Sequence, residues 1–127
     1  MKLRKTTPIL YVDAIEPSLA HWRERLGYEV VGEVAHGERL AFAILARDGV
    51  ELMLQTFASA ADDLPGLVTA LRARPFALYH EVDDVEAAAR LLREAQVVAG
   101  PRTTSYGARE IFVEDPAGFV HGYAQRL

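Results

Sequence analysis

The fold is decided by the segment Tyr106-Gly107-Ala108-Arg109-Glu110-Ile111-Phe112-Val113-Glu114-Asp115-Pro116-Ala117-Gly118-Phe119-Val120-His121-Gly122-Tyr123. Apolar residues alternate with other residues on both sides of Asp115-Pro116-Ala117-Gly118. In that tetrapeptide the proline presets φ at the second turn position, and the glycine accepts whatever φ the turn requires. The alternation over Arg109–Glu114 and Phe119–Ala124 therefore predicts a β-hairpin near the end of the sequence.

An internal repeat extends outward from this hairpin. Tyr11-Val12-Asp13-Ala14-Ile15-Glu16 aligns with Glu81-Val82-Asp83-Asp84-Val85-Glu86. In each copy an aspartate, Asp13 or Asp83, ends an extended run and is predicted to cap a helix together with the glutamate three positions later. Apolar residues then recur at helical spacing: Ile15, Leu19, Trp22 and Leu26 in the first copy, and Val85, Ala88, Leu92 and Ala95 in the second.

Each predicted helix is followed by three predicted strands. They are Glu29–Ala35, Arg39–Ala46 and Val50–Thr56 in the first copy, and Val97–Gly100, Arg109–Glu114 and Phe119–Gln125 in the second. The pattern predicts an α+β fold of two tandem βαβββ modules, at about residues 6–56 and 76–125, joined by a helical linker, 57–75. A length of 127 residues with 50% hydrophobic content suits a single domain, 1–127.

Composition excludes several classes of protein. The net charge is −4 and the 14 Lys and Arg residues form no basic stripe, so we expect no nucleic-acid partner. The sequence has no cysteine, which excludes disulfides, thiolate metal ligands and a cysteine nucleophile. No apolar run has the length of a signal peptide or a membrane span, so we expect a cytoplasmic protein without a membrane partner.

The lead-in Gly-x-Arg/Glu-x-x-Phe, the Asp-Pro-x-Gly turn and the final strand resemble the vicinal-oxygen-chelate superfamily of glyoxalases, bleomycin-resistance proteins and extradiol dioxygenases. Within it the chain is most similar to the bleomycin-resistance branch. The resemblance implies that the mixed sheets of the two modules curl around a shared cavity, commonly completed by a second subunit. The modules of one site can come from one chain or from both chains of a homodimer.

The resemblance also implies where a metal ion would be held in the enzymes of the superfamily. Aligned residue by residue, the ligand positions fall on Thr7 and Met53 in the first module and on Ala77 and Gly122 in the second. None of these side chains is an ordinary ligand for zinc, iron, manganese or nickel. We therefore expect no metal and no cofactor, and we assign no catalytic residue.

Histidines are the residues that could replace those ligands. His80 and His121 each lie one residue from a ligand position, so alternation directs them to the opposite face of the sheet. A one-residue slip in both strands would turn the two inward together, and this alternative stays open. His21 in the first helix and His36 in a predicted turn are not directed at the cavity.

Strand alternation assigns the residues that line the cavity. The inward sets are Thr7, Ile9 and Tyr11; Glu51, Met53 and Gln55; Ala77, Tyr79 and Glu81; and Val120, Gly122 and Ala124. The predicted ligand-binding residues are Tyr11, Glu51, Met53, Gln55, Tyr79, Glu81, Tyr106, Arg109, Phe112 and Gly122. Their tyrosines can stack on a planar group, and their glutamates can attract a cation.

We therefore expect a metal-free, homodimeric small-molecule-binding protein of the bleomycin-resistance type, which sequesters an aromatic compound, with or without a positive charge, in a dimer cavity. Antibiotic resistance is the role that the resemblance implies, and the sequence leaves open whether it is the biological role. The alternative is a glyoxalase-like or dioxygenase-like enzyme, a lyase, isomerase or oxygenase. Such an enzyme would use a displaced metal site, or Glu51, Glu81 and a tyrosine for proton transfer. A third possibility is a dimeric scaffold whose cavity has closed.

Overall fold

Eight strands and four α-helices make up the fold, in a computed structural model that describes residues 1–127. The strands are β1 (Leu3–Val12), β2 (Glu29–His36), β3 (Arg39–Arg47), β4 (Val50–Thr56), β5 (Phe76–Val82), β6 (Gln96–Thr103), β7 (Ala108–Glu114) and β8 (Val120–Arg126). The helices are α1 (Glu16–Leu19), α2 (Phe57–Asp63), α3 (Val68–Ala73) and α4 (Val85–Leu91). A π-helical segment, Ala20–Arg25, extends α1, and a 3-10 turn, Pro65–Leu67, precedes α3. None of the helices has the length and hydropathy needed to cross a membrane.

All the strands belong to one mixed sheet in the order β2-β3-β4-β1-β5-β8-β7-β6. β1 runs parallel to β4, and β5 runs parallel to β8, so both halves have the same pattern. β1 and β5 pair antiparallel at the centre, where Pro8 faces Leu78. The predicted α+β fold of two βαβββ units is confirmed, and the two halves are joined inside one chain.

The helices α1 and α4 cover the face of the sheet that we call the outer face. Under α1, Ile15 and Leu19 pack on a group of buried strand residues, Ala43, Leu45, Leu52 and Leu54. Under α4, Val85 packs on Val82, Ile111 and Val113. Full burial of an aliphatic side chain of this size stabilises the fold by roughly 1.5–3 kcal/mol. The alternation of the strands thus gives each helix an apolar surface to cover.

The start and the end of the first helix differ from the predictions. Leu26, predicted on the buried stripe, is 38% exposed. Its backbone N–H donates to the His21 carbonyl, five residues back. This wider π turn moves the residues after Trp22 out of phase with the 3.6-residue period. Asp13 does not cap α1, which has no side-chain cap.

The second helix is capped by a neighbour of the predicted residue. Asp84, and not Asp83, accepts a hydrogen bond from the N–H of Ala87 at the start of α4. Asp83 instead accepts a hydrogen bond from the backbone N–H of Lys2. Both adjacent aspartates have the side chain that a cap needs, so the sequence alone does not determine which of them is used.

The linker packs on the opposite face of the sheet, which we call the inner face. Its buried residues, Ala60, Leu64, Leu67 and Leu71, form one cluster with the strand residues Ile9, Tyr11, Ala77, Phe112 and Val120. The helical character of the linker was predicted. Its position was not, and α2 and α3 occupy part of the space that the sequence analysis left to a ligand.

Candidate functional site

The strand registers place the four positions that the resemblance assigns to metal ligands on the inner face, at equivalent places in the two halves. Ile9 lies beside Met53 in the first half, and Tyr79 lies beside Gly122 in the second. Thr7 and Ala77 occupy matching positions on β1 and β5. The alternation used to assign these residues to one face therefore agrees with the structure.

The side chains at these positions do not fit a metal ion. Ala77 is fully buried beneath the linker, and the buried hydroxyl of Thr7 has no hydrogen-bond partner. A Cβ at Gly122 would lie 2.7 Å from Cε1 of Phe112 and 2.9 Å from Cδ1 of Tyr79. Two aromatic rings thus fill the space into which a ligand from position 122 would project.

These rings make Gly122 sensitive to substitution. We expect Gly122→Ala to destabilise the protein by about 1–3 kcal/mol, because the added methyl group overpacks rigid rings. Gly32→Ala is the matched control, since its Cβ would meet the side chain of Ile44, with the flexible Cδ1 nearest at 3.2 Å and the other contacts at 3.5 and 3.7 Å. Urea denaturation measures both changes. Equal losses at Gly122 and Gly32 would contradict this account.

A buried carboxylate forms the centre of the polar part of the inner face. Glu110 is 0% exposed. Its Oε2 accepts a hydrogen bond from the Tyr79 hydroxyl at 2.5 Å, and its Oε1 accepts one from the Tyr106 hydroxyl at 2.8 Å. Arg102 donates to the same Oε1 from Nη2 at 2.7 Å and from Nε at 3.0 Å, and it also donates to both carboxylate oxygens of Asp63, at 3.0 and 2.9 Å. We call these five residues the Glu110 cluster.

The electrostatics of the Glu110 cluster keep Arg102, Tyr79 and Tyr106 in defined protonation states. The hydrogen bonds that Arg102 donates to Asp63, and then to Glu110, raise the pKa of Arg102 and hold it as a cation. Burial, followed by the charge of Glu110, raises the pKa of Tyr106 to about 12. The pKa of Tyr79 is raised for the same reasons. Both tyrosines are therefore hydrogen-bond donors at neutral pH.

Other predicted ligand contacts have their own partners. Glu51 is paired with Lys5, and Glu81 lies 3.4 Å from the guanidinium of Arg126. Gln55 donates to Oγ of Ser59 at 3.1 Å. Each of the two glutamates thus has a cation beside it, as expected for charged residues at the rim.

Two predicted residues are placed differently from the sequence analysis. Arg109, predicted at the rim of the cavity, lies on the outer face, where its Nε is 3.4 Å from Glu86 of α4. Tyr11 faces inward but is buried in the linker cluster, with its ring centroid 6.3 Å from that of Phe57. Strand alternation explains the position of Arg109: Glu110 and Phe112 point to the inner face of β7, so Arg109, one residue before Glu110, points to the outer face.

Sequence reasoning missed Arg102 and the role of Asp63. Asp63 lies in the linker and Arg102 lies in β6, and neither has a sequence motif around it. The two are 39 residues apart in sequence. Local sequence patterns cannot predict a contact between residues so far apart in the sequence.

The outer face carries His80 and His121, as alternation predicted. The rings are nearly parallel, with an angle of 8° between their planes, and Nε2 of His80 lies 3.0 Å from Nδ1 of His121. His21 and His36 are exposed and lie in the π-helical segment and at the end of β2. The register slip that would have turned His80 and His121 inward does not occur.

The environment of His80 makes stability depend on pH. Burial, and then the neighbouring His121, lowers the pKa of His80 below its usual 6.5. Below about pH 6.5 the unfolded state therefore binds more protons than the folded state. The stability that neutral His80 contributes is fully present above about pH 6.5, and it is lost as the pH falls through the lowered pKa of His80 in the folded protein. We expect the urea midpoint to fall between about pH 8 and about pH 5. The decrease should be smaller in His80→Gln than in the exposed control His36→Gln; equal decreases would contradict this.

These features define the class of the protein: an α+β chain with paired βαβββ halves and an inner face without a metal-binding donor set. The chain belongs to the Glyoxalase/Bleomycin resistance protein/Dioxygenase superfamily, whose family model matches residues 4–121. A comparison with curated proteins gave no significant match.

Solved structures share the fold at low sequence identity. A glyoxalase/bleomycin resistance protein/dioxygenase superfamily member from Vibrio splendidus 12B01 is 24% identical, with a TM-score of 0.73 over 98% of this chain and 99% of that one. A variant of methylmalonyl-CoA epimerase from Streptomyces coelicolor, in complex with 2-nitronate-propionyl-CoA, is 20% identical, with a TM-score of 0.70 over 98% and 99%. The epimerase from Mycobacterium tuberculosis is 19% identical, with a TM-score of 0.62 over 98% and 87%. These relatives show the fold, and they do not single out the bleomycin-resistance branch.

Proposed function

We propose that the protein is a metal-free small-molecule-binding member of its superfamily that sequesters an aromatic, positively charged compound, in the manner of bleomycin-resistance proteins. It acts as a cytoplasmic homodimer, and the ligand lies beside the Glu110 cluster. The observation that carries this proposal is the cluster itself, in which two carboxylates share one guanidinium next to an exposed tyrosine ring.

The charge of the cluster favours a cation. Glu110 and Asp63 carry two negative charges against the single positive charge of Arg102, whereas Glu51 and Glu81 are each paired with one cation. The side chain of Asp63 is 45% exposed, so the excess charge is accessible to a ligand. A hydrogen bond between a cationic donor and a carboxylate is roughly twice as strong as one between neutral groups.

The aromatic component comes from Tyr106. Tyr106 is 62% exposed, yet its hydroxyl donates a hydrogen bond to Glu110 and lies 3.4 Å from Nη2 of Arg102. The ring is therefore oriented before a ligand arrives, which reduces the entropy that binding costs. A planar cation on this ring gains both stacking and cation–π attraction.

The open side of this site accounts for the proposed dimer. Glu110 and Phe112 are buried beneath the site, whereas Asp63 and Tyr106 face solvent. Small-molecule sites bury most of the ligand, so a second wall is required. We assign that wall to a second copy of the chain, and light scattering during size-exclusion chromatography tests it; a monomer that still binds ligand would remove this part of the proposal.

No observation on the inner face favours the enzymatic alternative. Proton transfer needs a base with a free lone pair within reach of the substrate. Glu51 and Glu81 are bound to cations, and Glu110 already accepts four hydrogen bonds inside the protein. A transition metal retained in stoichiometric amount after dialysis would contradict the metal-free proposal.

A thermal-shift screen with bleomycin and the planar cation ethidium tests the proposal. A ligand at a hundred times its dissociation constant adds about 2.7 kcal/mol of stability, which raises the melting temperature by roughly 10 °C. Asp63→Asn should weaken binding of the cation. Asp62→Asn removes the same charge from the neighbouring residue, outside the Glu110 cluster, and should leave binding unchanged. No shift with either probe, or equal effects of the two variants, would contradict the proposal.

A further inference from the structure

A hydrogen-bonded chain of four side chains lies on the outer face, away from the proposed ligand site. Thr6 Oγ1 is 2.8 Å from Nδ1 of His80. Nε2 of His80 is 3.0 Å from Nδ1 of His121, and Nε2 of His121 is 2.8 Å from Oδ2 of Asp115. The chain connects β1, β5 and β8 to the turn between β7 and β8.

Asp115 determines the direction of every hydrogen bond in this chain. Its Oδ1 accepts hydrogen bonds from the backbone N–H groups of Ala117 and Phe119, and the hydrogen bond with His121, together with these, lowers its pKa. The carboxylate is therefore ionised and only accepts, so His121 carries its proton on Nε2. In the neutral chain, Nδ1 of His121 then accepts from Nε2–H of His80.

The same reasoning continues to the end of the chain. With its proton on Nε2, neutral His80 presents a bare Nδ1 to Thr6, so the threonine hydroxyl must donate. The ring of Tyr123 lies against His80, with the centroids 4.8 Å apart, and holds it in place. The chain thus contains a hydroxyl, an imidazole base beside it, and further groups that orient the base. This is the arrangement by which enzymes activate a hydroxyl as a nucleophile.

A metal ion does not explain this arrangement. The two facing nitrogens are at hydrogen-bond distance and share one proton, whereas two metal–nitrogen bonds of about 2.0–2.1 Å must converge on a common point. No group of three or more His, Cys, Asp or Glu side chains in the structure is arranged to hold a metal. Thr6 is exposed, and the two histidines are half-buried, so a reagent can reach the hydroxyl.

We propose that Thr6 is a reactive hydroxyl that accepts an acyl group from a small activated ester. Oγ of Thr6 forms a bond to the ester carbonyl carbon while its proton moves to Nδ1 of His80. The bond from that carbon to the leaving oxygen then breaks, and His80 returns the proton to the leaving group. The products are O-acyl-Thr6 and the free alcohol, and His121 with Asp115 stabilises the cation that forms on His80.

The test is acetylation of the full chain by p-nitrophenyl acetate, followed by peptide mass mapping. Thr103 is an internal control, because it is also exposed but its Oγ1 lies 3.5 Å from Nη1 of Arg109 and has no base beside it. We expect Thr6 to be acetylated well before Thr103. Loss of the general base in His80→Gln should slow the reaction at Thr6 by about 100-fold or more.

Two variants of Thr6 complete the test. Thr6→Ser keeps a hydroxyl beside His80 and should still be acetylated at that position, whereas Thr6→Val should not. Equal acetylation of Thr6 and Thr103 in the unaltered protein would overturn the proposal, and this comparison does not depend on the folding of any variant. An unchanged rate in a folded His80→Gln protein would also overturn it.

Discussion

Replacing Arg102 with methionine is expected to destabilise the protein by about 3 kcal/mol, because it leaves the buried Glu110 carboxylate without its counter-charge. The value lies at the lower end for a broken buried pair, since 26% of the Arg102 side chain is exposed and the hydroxyls of Tyr79 and Tyr106 still donate to Glu110. Urea denaturation with linear extrapolation measures the change.

The control for this prediction is Arg109→Met. Arg109 is paired with Glu86, which is exposed, and surface pairs of this kind contribute about 0–1 kcal/mol. The double variant Arg102→Met, Glu110→Gln should recover part of the lost stability, because the amide carries no charge, its oxygen accepts from one tyrosine and its NH2 group donates to the hydroxyl of the other. If Arg102→Met and Arg109→Met were equally stable, Glu110 would not be the buried anion that the structure describes.

Leu71→Ala is expected to cost about 2–5 kcal/mol, because it opens a cavity between the linker and the inner face. Leu71 is fully buried in the cluster that joins α3 to Ile9, Tyr11 and Phe112. Leu91→Ala removes the same atoms from a side chain that is 69% exposed and should change stability by less than about 0.5 kcal/mol. Equal effects in thermal and urea denaturation would mean that the linker does not pack on the sheet.

The position of the linker bears on the proposed function. By covering Ala77 and Val120 it closes part of the inner face, and Phe112 and Tyr79 fill the space beside Gly122. The part of the inner face that stays accessible therefore lies near Tyr106 and Asp63, at the edge of the linker. A ligand bound there, as proposed above, would contact the Asp63 carboxylate and the Tyr106 ring.

Local patterns predicted the strands and the face of most strand residues, with Arg109 as an exception. The placement of His80 and His121 on the outer face followed from a period of two, which is a property of the extended backbone itself. Leu26 was misplaced because the 3.6-residue period was extended through a segment that forms a π turn. The helix cap was predicted at Asp83 but is Asp84, because two aspartates with equivalent side chains are adjacent in the sequence.

The sequence by itself determined the repeat, the α+β fold and the side chains at the positions that the resemblance assigns to metal ligands, because alternation, helical spacing and residue identity are local properties. Only the tertiary structure decided that β1 pairs with β5 inside one chain, that the linker covers the inner face, and that Arg102 joins Asp63 to Glu110. These contacts depend on the paths of the connecting segments and on which charged side chains are brought together in the interior. Neither the paths nor the meeting of these charges is encoded in a short-range pattern of residues.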